Sequence, residues 1–221
     1  MEIHEKSISK KSEDRREAIK LMETHFSSLP DKDQAWQDLH RLIHDEDAGI
    51  RWFAVGVLGL AFSKAPDKDQ AWQDLHCLTE DEDNLVRWEA VGVLGSVFSK
   101  VPDKKQAWQD LLGLTKAGDD EVREVAAFVL GSAFSQVPDK DQAWQDLHTL
   151  TQDEDCEVRR VAATALRLAF SLVPNKDQAW QDLRRLTRHD DREVRRGAVE
   201  ALGLAFSLVP DEGLSGSSFP D

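Results

Sequence analysis

Apolar and polar positions along this chain fall into two helical rhythms that alternate. In the first, Ala35, Leu39 and Leu42 stand at i, i+4 and i+7, a spacing that places them on one helix face. In the second, Ile50, Ala54, Val57, Leu58, Ala61 and Phe62 continue one face over about three turns. Asp47 stands three residues before Ile50, and Asp83, Asp119, Asp155 and Asp191 hold the same place further along. A carboxylate there caps the free N–H groups of the second helix and suits the positive end of its dipole. Nothing alternates with a period of two over a useful length, so the chain reads as all-α.

The two rhythms recur as a unit. Pro30, Pro66, Pro102, Pro138, Pro174 and Pro210 stand 36 residues apart, each stopping one helix and opening the next. Between them the block KxQAWQDL occurs five times, and a second block reads D-x-x-[IV]-R-x-x-A-x-x-x-L-x-x-x-FS, as in Asp155, Val158, Arg159, Ala162, Leu166, Phe170 and Ser171. One such hairpin cannot bury both apolar faces alone, so neighbours must stack into a continuous core. The expected organisation is five 36-residue helical hairpins at 30–65, 66–101, 102–137, 138–173 and 174–209. A capping helix at 13–29 precedes them, with Arg15, Ala18 and Phe26 at the Arg, Ala and Phe positions of a second helix. Residues 1–12 are expected as a flexible tail, and 210–221, which lack a QAWQDL segment, as a second tail.

These blocks resemble the HEAT-like repeat of the phycobilisome-lyase type, whose signature is an acidic turn followed by V-R-x-x-A-x-x-A-L-G. Val158-Arg159-x-x-Ala162-x-x-Ala165-Leu166 matches it, as does Ile50-Arg51-x-x-Ala54-x-x-Val57-Leu58-Gly59 with small changes. The resemblance covers residues 13–209. It implies a right-handed α-solenoid whose second helices line a concave face and whose usual role is to bind protein. The units here are longer than is usual for the family, with the extra length around FSxVPDK.

Repeats in one chain act as controls for one another. Trp36, Trp72, Trp108, Trp144 and Trp180 are constant and flank the apolar stripe of the first helix, which predicts packing rather than ligand stacking. Arg51, Arg87, Arg123, Arg159 and Arg195 are constant as well, and a guanidinium fork bridges to a carboxylate or a turn carbonyl. Asp45, Asp81 and Asp153, six residues upstream, are the natural partners, and the ladder should break where Ala117 and His189 replace them. Variation concentrates on one stripe of the second helix. There Trp52 and Trp88 give way to Glu124, Arg160 and Arg196, while Phe128, Thr164 and Glu200 stand where Gly56 and Gly92 do. Trp52, Phe53, Trp88, Glu124, Phe128, Arg160, Thr164, Arg192, Arg196 and Glu200 are therefore the candidate partner-binding residues, since Trp and Arg are enriched at binding hot spots. Gly56, Gly59, Gly92 and Gly95 are expected to leave room for the partner's approach. The competing reading is that Trp52 and Trp88 pack on one another.

Composition narrows the function. A net charge of −14 disfavours nucleic acid and anionic membranes, which call for a basic surface, although Arg184, Arg185, Arg188, Arg192, Arg195 and Arg196 form one local basic cluster. No apolar run approaches a membrane span and MEIHEKSISKKSEDRR has no signal-peptide core, so a cytoplasmic location is expected. Cys77 and Cys156 are expected as reduced, partly buried thiols. His40, His76 and His148 recur at one position, but equivalent residues of stacked helices stand roughly 10 Å apart, too far to share a metal ion. Iron-binding enzymes of this repeat class carry repeated His-Glu pairs, and here there is only His4-Glu5. The chain is thus expected to be a non-enzymatic, cofactor-free scaffold for a protein or peptide partner. The alternative is a regulatory or lyase-like accessory of a cofactor-bearing partner. At the C-terminal end, Val194, Leu204, Phe206 and Leu208 are expected to emerge uncovered. Three outcomes stand open there: weak self-association, a tail folded back on Leu214 and Phe219, or leucines left in water.

Overall fold

The computed structural model of the chain describes residues 2–208, with side chains up to residue 204. It is built of α1 (Glu2–Ser7), α2 (Ser12–His25), α3 (Lys32–Leu42), α4 (Ala48–Ala61), α5 (Lys68–Leu78), α6 (Asn84–Val97), α7 (Lys104–Leu114), α8 (Asp120–Ala133), α9 (Lys140–Leu150), α10 (Cys156–Ala169), α11 (Lys176–Leu186) and α12 (Arg192–Leu208). No strand occurs among the described residues. Two compact units are distinguished, one ending at Val129 and the other starting at Leu130, inside α8.

Caps set the boundaries of both helices in each pair. Asp47 Oδ1 accepts from the N–H groups of Gly49 at 2.9 Å and Ile50 at 3.2 Å, so the second helix starts where its dipole wants an anion. The first helix is capped by the residue after the proline, Asp31 accepting from Gln34 N–H at 2.9 Å and Asn175 doing the same for Gln178 at 3.1 Å. Before each of Pro30, Pro66, Pro102 and Pro138 the chain tightens into one 3-10 turn that begins at a buried phenylalanine, such as Phe62–Lys64. The proline then forbids a further helical turn.

Residues 1–12 do not form the expected tail throughout: Glu2–Ser7 is helical and packs on α2 and α3. Its polar composition reads as disorder, yet His4 stands 36 residues before His40 and takes the same part. His4 Nδ1 lies 2.8 Å from Asp38 Oδ1, as His40 Nδ1 lies 2.9 Å from Asp74 Oδ2, and Ser7 is fully buried. The segment therefore supplies the last turns of a first helix. The expectations for the Phe206 and Leu208 side chains and for 210–221, with Leu214 and Phe219, lie outside the described residues. Leu204 is exposed as anticipated, but Val194 is wholly buried, because it faces the core of its own helix pair.

In the first unit α2 packs on α4 and α4 on α6; in the second α10 packs on α12. Glycine sets how closely these second helices approach. A Cβ built on Gly59 would stand 2.7 Å from Val93 Cγ1, and one on Gly95 2.7 Å from Val129 Cγ2. In the second unit a Cβ on Gly131 would stand 2.8 Å from that of Ala165. Contrary to expectation, Gly59 and Gly95 leave no room for a partner, because a neighbouring helix already fills that space. Gly92 differs, since a Cβ there meets nothing within 4 Å.

An arginine ladder runs beside this packing, and it is not broken at Ala117 and His189. Each constant arginine donates from Nη1 to the backbone carbonyl six residues upstream, at 2.8 Å for Arg51 to Asp45, Arg87 to Asp81 and Arg123 to Ala117, so no Asp side chain is needed there. Arg51, Arg87 and Arg159 also hold a carboxylate in the turn of the following helix pair, while Arg123 donates to Asp120 on its own helix. Arg51 grips Asp81 with two bonds of 2.8 and 2.7 Å, and Arg15 holds Asp45 at 2.9 Å in the same way. Where Ala117 or His189 removes that aspartate, the fork closes two residues later, on the capping carboxylate. Arg87 then bonds Asp119 at 3.0 Å and, in the second unit, Arg159 bonds Asp191 at 2.9 Å. Burial pushes the Asp119 carboxyl up, but the Val122 N–H and the Arg87 guanidinium outweigh it and hold the group below its ordinary value of 3.8. Asp191 is lowered likewise, by Arg159 and the N–H groups of Val194 and Glu193 against the opposing effect of burial.

Gly95→Val should cost roughly 1–3 kcal/mol, because the added atoms overpack α6 on α8. Gly92→Ala, on the same helix but in open space, should instead stabilise by about 0.5–1 kcal/mol; urea unfolding of both variants reads the contrast. Arg51→Ala leaves buried Asp81 unpaired and should cost about 3–5 kcal/mol. Lowered carboxyls stabilise fully above their unfolded pKa and lose that contribution as pH falls through the folded value. Urea midpoints should therefore drop on acidification below the ordinary 3.8 of Asp119 and Asp191, and Asp119→Asn should flatten part of that drop.

Candidate functional site

The variable stripe of the first unit lies on α4, α6 and α8. Trp88, Phe128 and Phe53 are exposed, at 48%, 65% and 40% of their surface, and Leu85 and Leu60 on α6 and α4 are exposed as well. Trp52 is only half-buried rather than largely exposed. It meets Phe53 edge-on with ring centroids 4.8 Å apart, and its indole favours the ionised form of the Glu89 carboxyl on α6. The two expected tryptophans therefore behave differently: Trp52 is tied into the surface and Trp88 stands out from it. Glu124, on α8, is half-buried.

Glu89 was not among the expected site residues. Burial pushes its carboxyl above the ordinary range, and the Trp52 hydrogen bond offsets this only in part. Its oxygen Oε1 lies 3.6 Å from where a Cβ on Gly56 would stand, so the carboxyl rests against the α4 backbone beside Trp52. A signal for it is present in the repeats. The equivalent positions hold Phe53, Val125, Val161 and Gly197, and Glu89 is the one carboxylate in that column.

The second unit carries Arg160, Thr164, Arg192, Arg196 and Glu200, on α10 and α12. The cationic row expected there is largely paired. Arg160 Nε donates to Glu157 at 2.7 Å, and Arg196 donates to Glu200 at 3.0 Å and to Glu193 at 3.4 Å. Thr164 is exposed and turns its hydroxyl back onto the Arg160 carbonyl at 3.1 Å. Arg192 is exposed at the first turn of α12. Helical spacing explains the difference: a glutamate three or four residues away on the same helix neutralises each arginine.

The first helices are occupied with structure. Trp72 and Trp108 are buried in the first unit and Trp144 in the second, while Trp36 and Trp180 are half-buried. Trp72 Nε1 donates to Asp110 at 2.8 Å and Trp144 Nε1 to Asp182 at 3.1 Å. The aspartate of QAWQDL is thus a buried or half-buried acceptor for the preceding first helix, a role its constancy in all five copies signals. Cys77 and Cys156 are free and exposed rather than partly buried, one on the outer side of α5 and one at the first residue of α10. Among the described residues no group of three or more His, Cys, Asp or Glu is placed to hold a metal ion. No helix among them is long and apolar enough to cross a membrane.

Comparison with known proteins agrees with this architecture. A designed armadillo repeat protein in complex with the peptide (KR)4 is similar in structure, with a TM-score of 0.58 at 20% identity over 91% of this chain and 97% of that one. An engineered protein reaches 0.56 at 23% identity over 94% and 97%. Likeness at such identity shows the fold, an α-solenoid of helical repeats. No curated protein matches the sequence. The family model for HEAT repeats matches residues 39–131 and 145–208, and the chain therefore belongs to the HEAT repeat family.

Proposed function

We propose that this chain is a non-enzymatic scaffold that binds a protein or peptide segment across α4, α6 and α8. The observation that carries the proposal is the exposed aromatic row of Phe53, Trp88 and Phe128. Leaving these rings in water forgoes burial free energy, and exposed aromatic surface of this kind marks contact sites on soluble proteins. Constant positions of the same helices are spent on packing, capping and the arginine ladder, so the variable stripe is free to recognise. A similarly folded designed protein was solved with a peptide bound, which supports a peptide segment as the partner. The paired arginines of α10 and α12 offer less, because a partner must first displace their glutamates.

Peptides selected from a random library on the full chain provide the test. Their affinity should fall by about thirtyfold or more in the Trp88→Ala, Phe128→Ala double variant, the loss of one hot spot of about 2 kcal/mol or greater. The melting temperature should barely move, since surface substitutions stay within about 0.5 kcal/mol. Selected peptides that bind the variant as tightly as the parent would sink the proposal.

A further inference from the structure

We infer that Glu89 makes this surface selective for a cationic segment, one Lys or Arg side chain of the partner lying over Gly56 and Gly92 with its charge on the Glu89 carboxylate. The inference rests on the binding role proposed above and names its chemistry. Two other partly buried carboxylates of the first unit, Asp81 and Asp119, each hold an arginine. Beside Glu89 stands the neutral Trp52 indole, and among the described residues no Lys or Arg pairs with it. A half-buried carboxylate without a counter-charge costs stability, and the four equivalent positions hold Phe, Val, Val and Gly. The fold thus has no structural need for an acid there.

Space and surroundings suit the same occupant. A Cβ on Gly92 meets nothing within 4 Å and one on Gly56 meets only Glu89 itself, so the turn beyond Trp52 and Trp88 is open above the carboxylate. The equivalent positions on α8, α10 and α12 carry Phe128, Thr164 and Glu200, and the opening is confined to α4 and α6. Trp88, exposed at 48%, offers a ring face to a guanidinium or ammonium group, an attraction that adds to the ion pair. The net charge of −14 draws cationic segments toward the molecule at long range, and Glu89 fixes where the charge lands.

The test uses the full chain with a labelled octapeptide of alternating Lys and Arg, and a control in which every Lys and Arg is Gln. Binding is followed by fluorescence anisotropy at about 0.15 M and 0.5 M salt, since high salt screens the general acidity more than a partly buried pair. The cationic peptide should bind and the Gln control should not. Glu89→Gln, which keeps an acceptor for Trp52, should weaken the cationic peptide by about tenfold or more at both salts, with the melting temperature unchanged or raised. Gly92→Leu, which fills the opening and leaves the carboxylate in place, should weaken it as much. A cationic peptide that depends on Trp88 and Phe128 but ignores both Glu89→Gln and Gly92→Leu would overturn this inference and leave the scaffold role intact. Absence of binding by the cationic peptide, while library-selected peptides bind through Trp88, would do the same.

Discussion

A guanidinium that reaches two turns at once is the constraint on which the rest of this structure depends. In Arg51, Arg87 and Arg159 one arm satisfies a carbonyl of the arginine's own turn, and the other holds a carboxylate of the turn that follows. The carbonyl would otherwise be one of the unpaired groups that a tight interhelical turn leaves behind. The carboxylate would otherwise be a half-buried charge. Joining them in one rung converts two local costs into one contact between helix pairs, and it fixes the register in which Gly59 meets Val93 and Gly95 meets Val129. A second row, Trp and His of one first helix on the Asp of the next, repeats the logic on the other layer.

With packing and polar satisfaction consigned to invariant positions, little remains on the second helices to vary. What remains is a stripe about one residue wide per turn, and it differs between the two units. In the first it is aromatic and open over Gly56 and Gly92; in the second it is a set of intrahelical ion pairs. Exposed pairs of that kind contribute little stability and are readily rearranged. Among the described residues Trp88 has no such internal partner.

The helices, their caps and the buried faces were legible in the sequence because each depends on residues within one turn of one another. Asp47 and its equivalents needed only the three-residue offset to be read as caps. Interhelical geometry was less legible. The spacing put Trp52 and Trp88 in one class, and only the approach of Glu89 from the neighbouring helix separates them. Gly59 and Gly56 stand three residues apart and look alike in the sequence, yet one lies under Val93 and the other meets only the Glu89 carboxylate. The arginine partners were misassigned for a related reason: a long side chain on a helix chooses between its own turn and the next by distances that no single repeat encodes. The short α1 was missed because its six residues show no period long enough to recognise.

The rungs also bear on how such a chain changes length over generations. Arg51 closes on the first aspartate of a turn and Arg87 on the third residue of one, so the same fork accepts carboxylates at two places. Loss or duplication of one 36-residue segment would join an arginine to a turn it had not met before, and either type of turn would still receive it. Recombination between the near-identical blocks thus meets no specific lock-and-key pairing to violate. A tolerance of two residues in one ion pair makes the gene's repeat number free to drift while each junction stays sound.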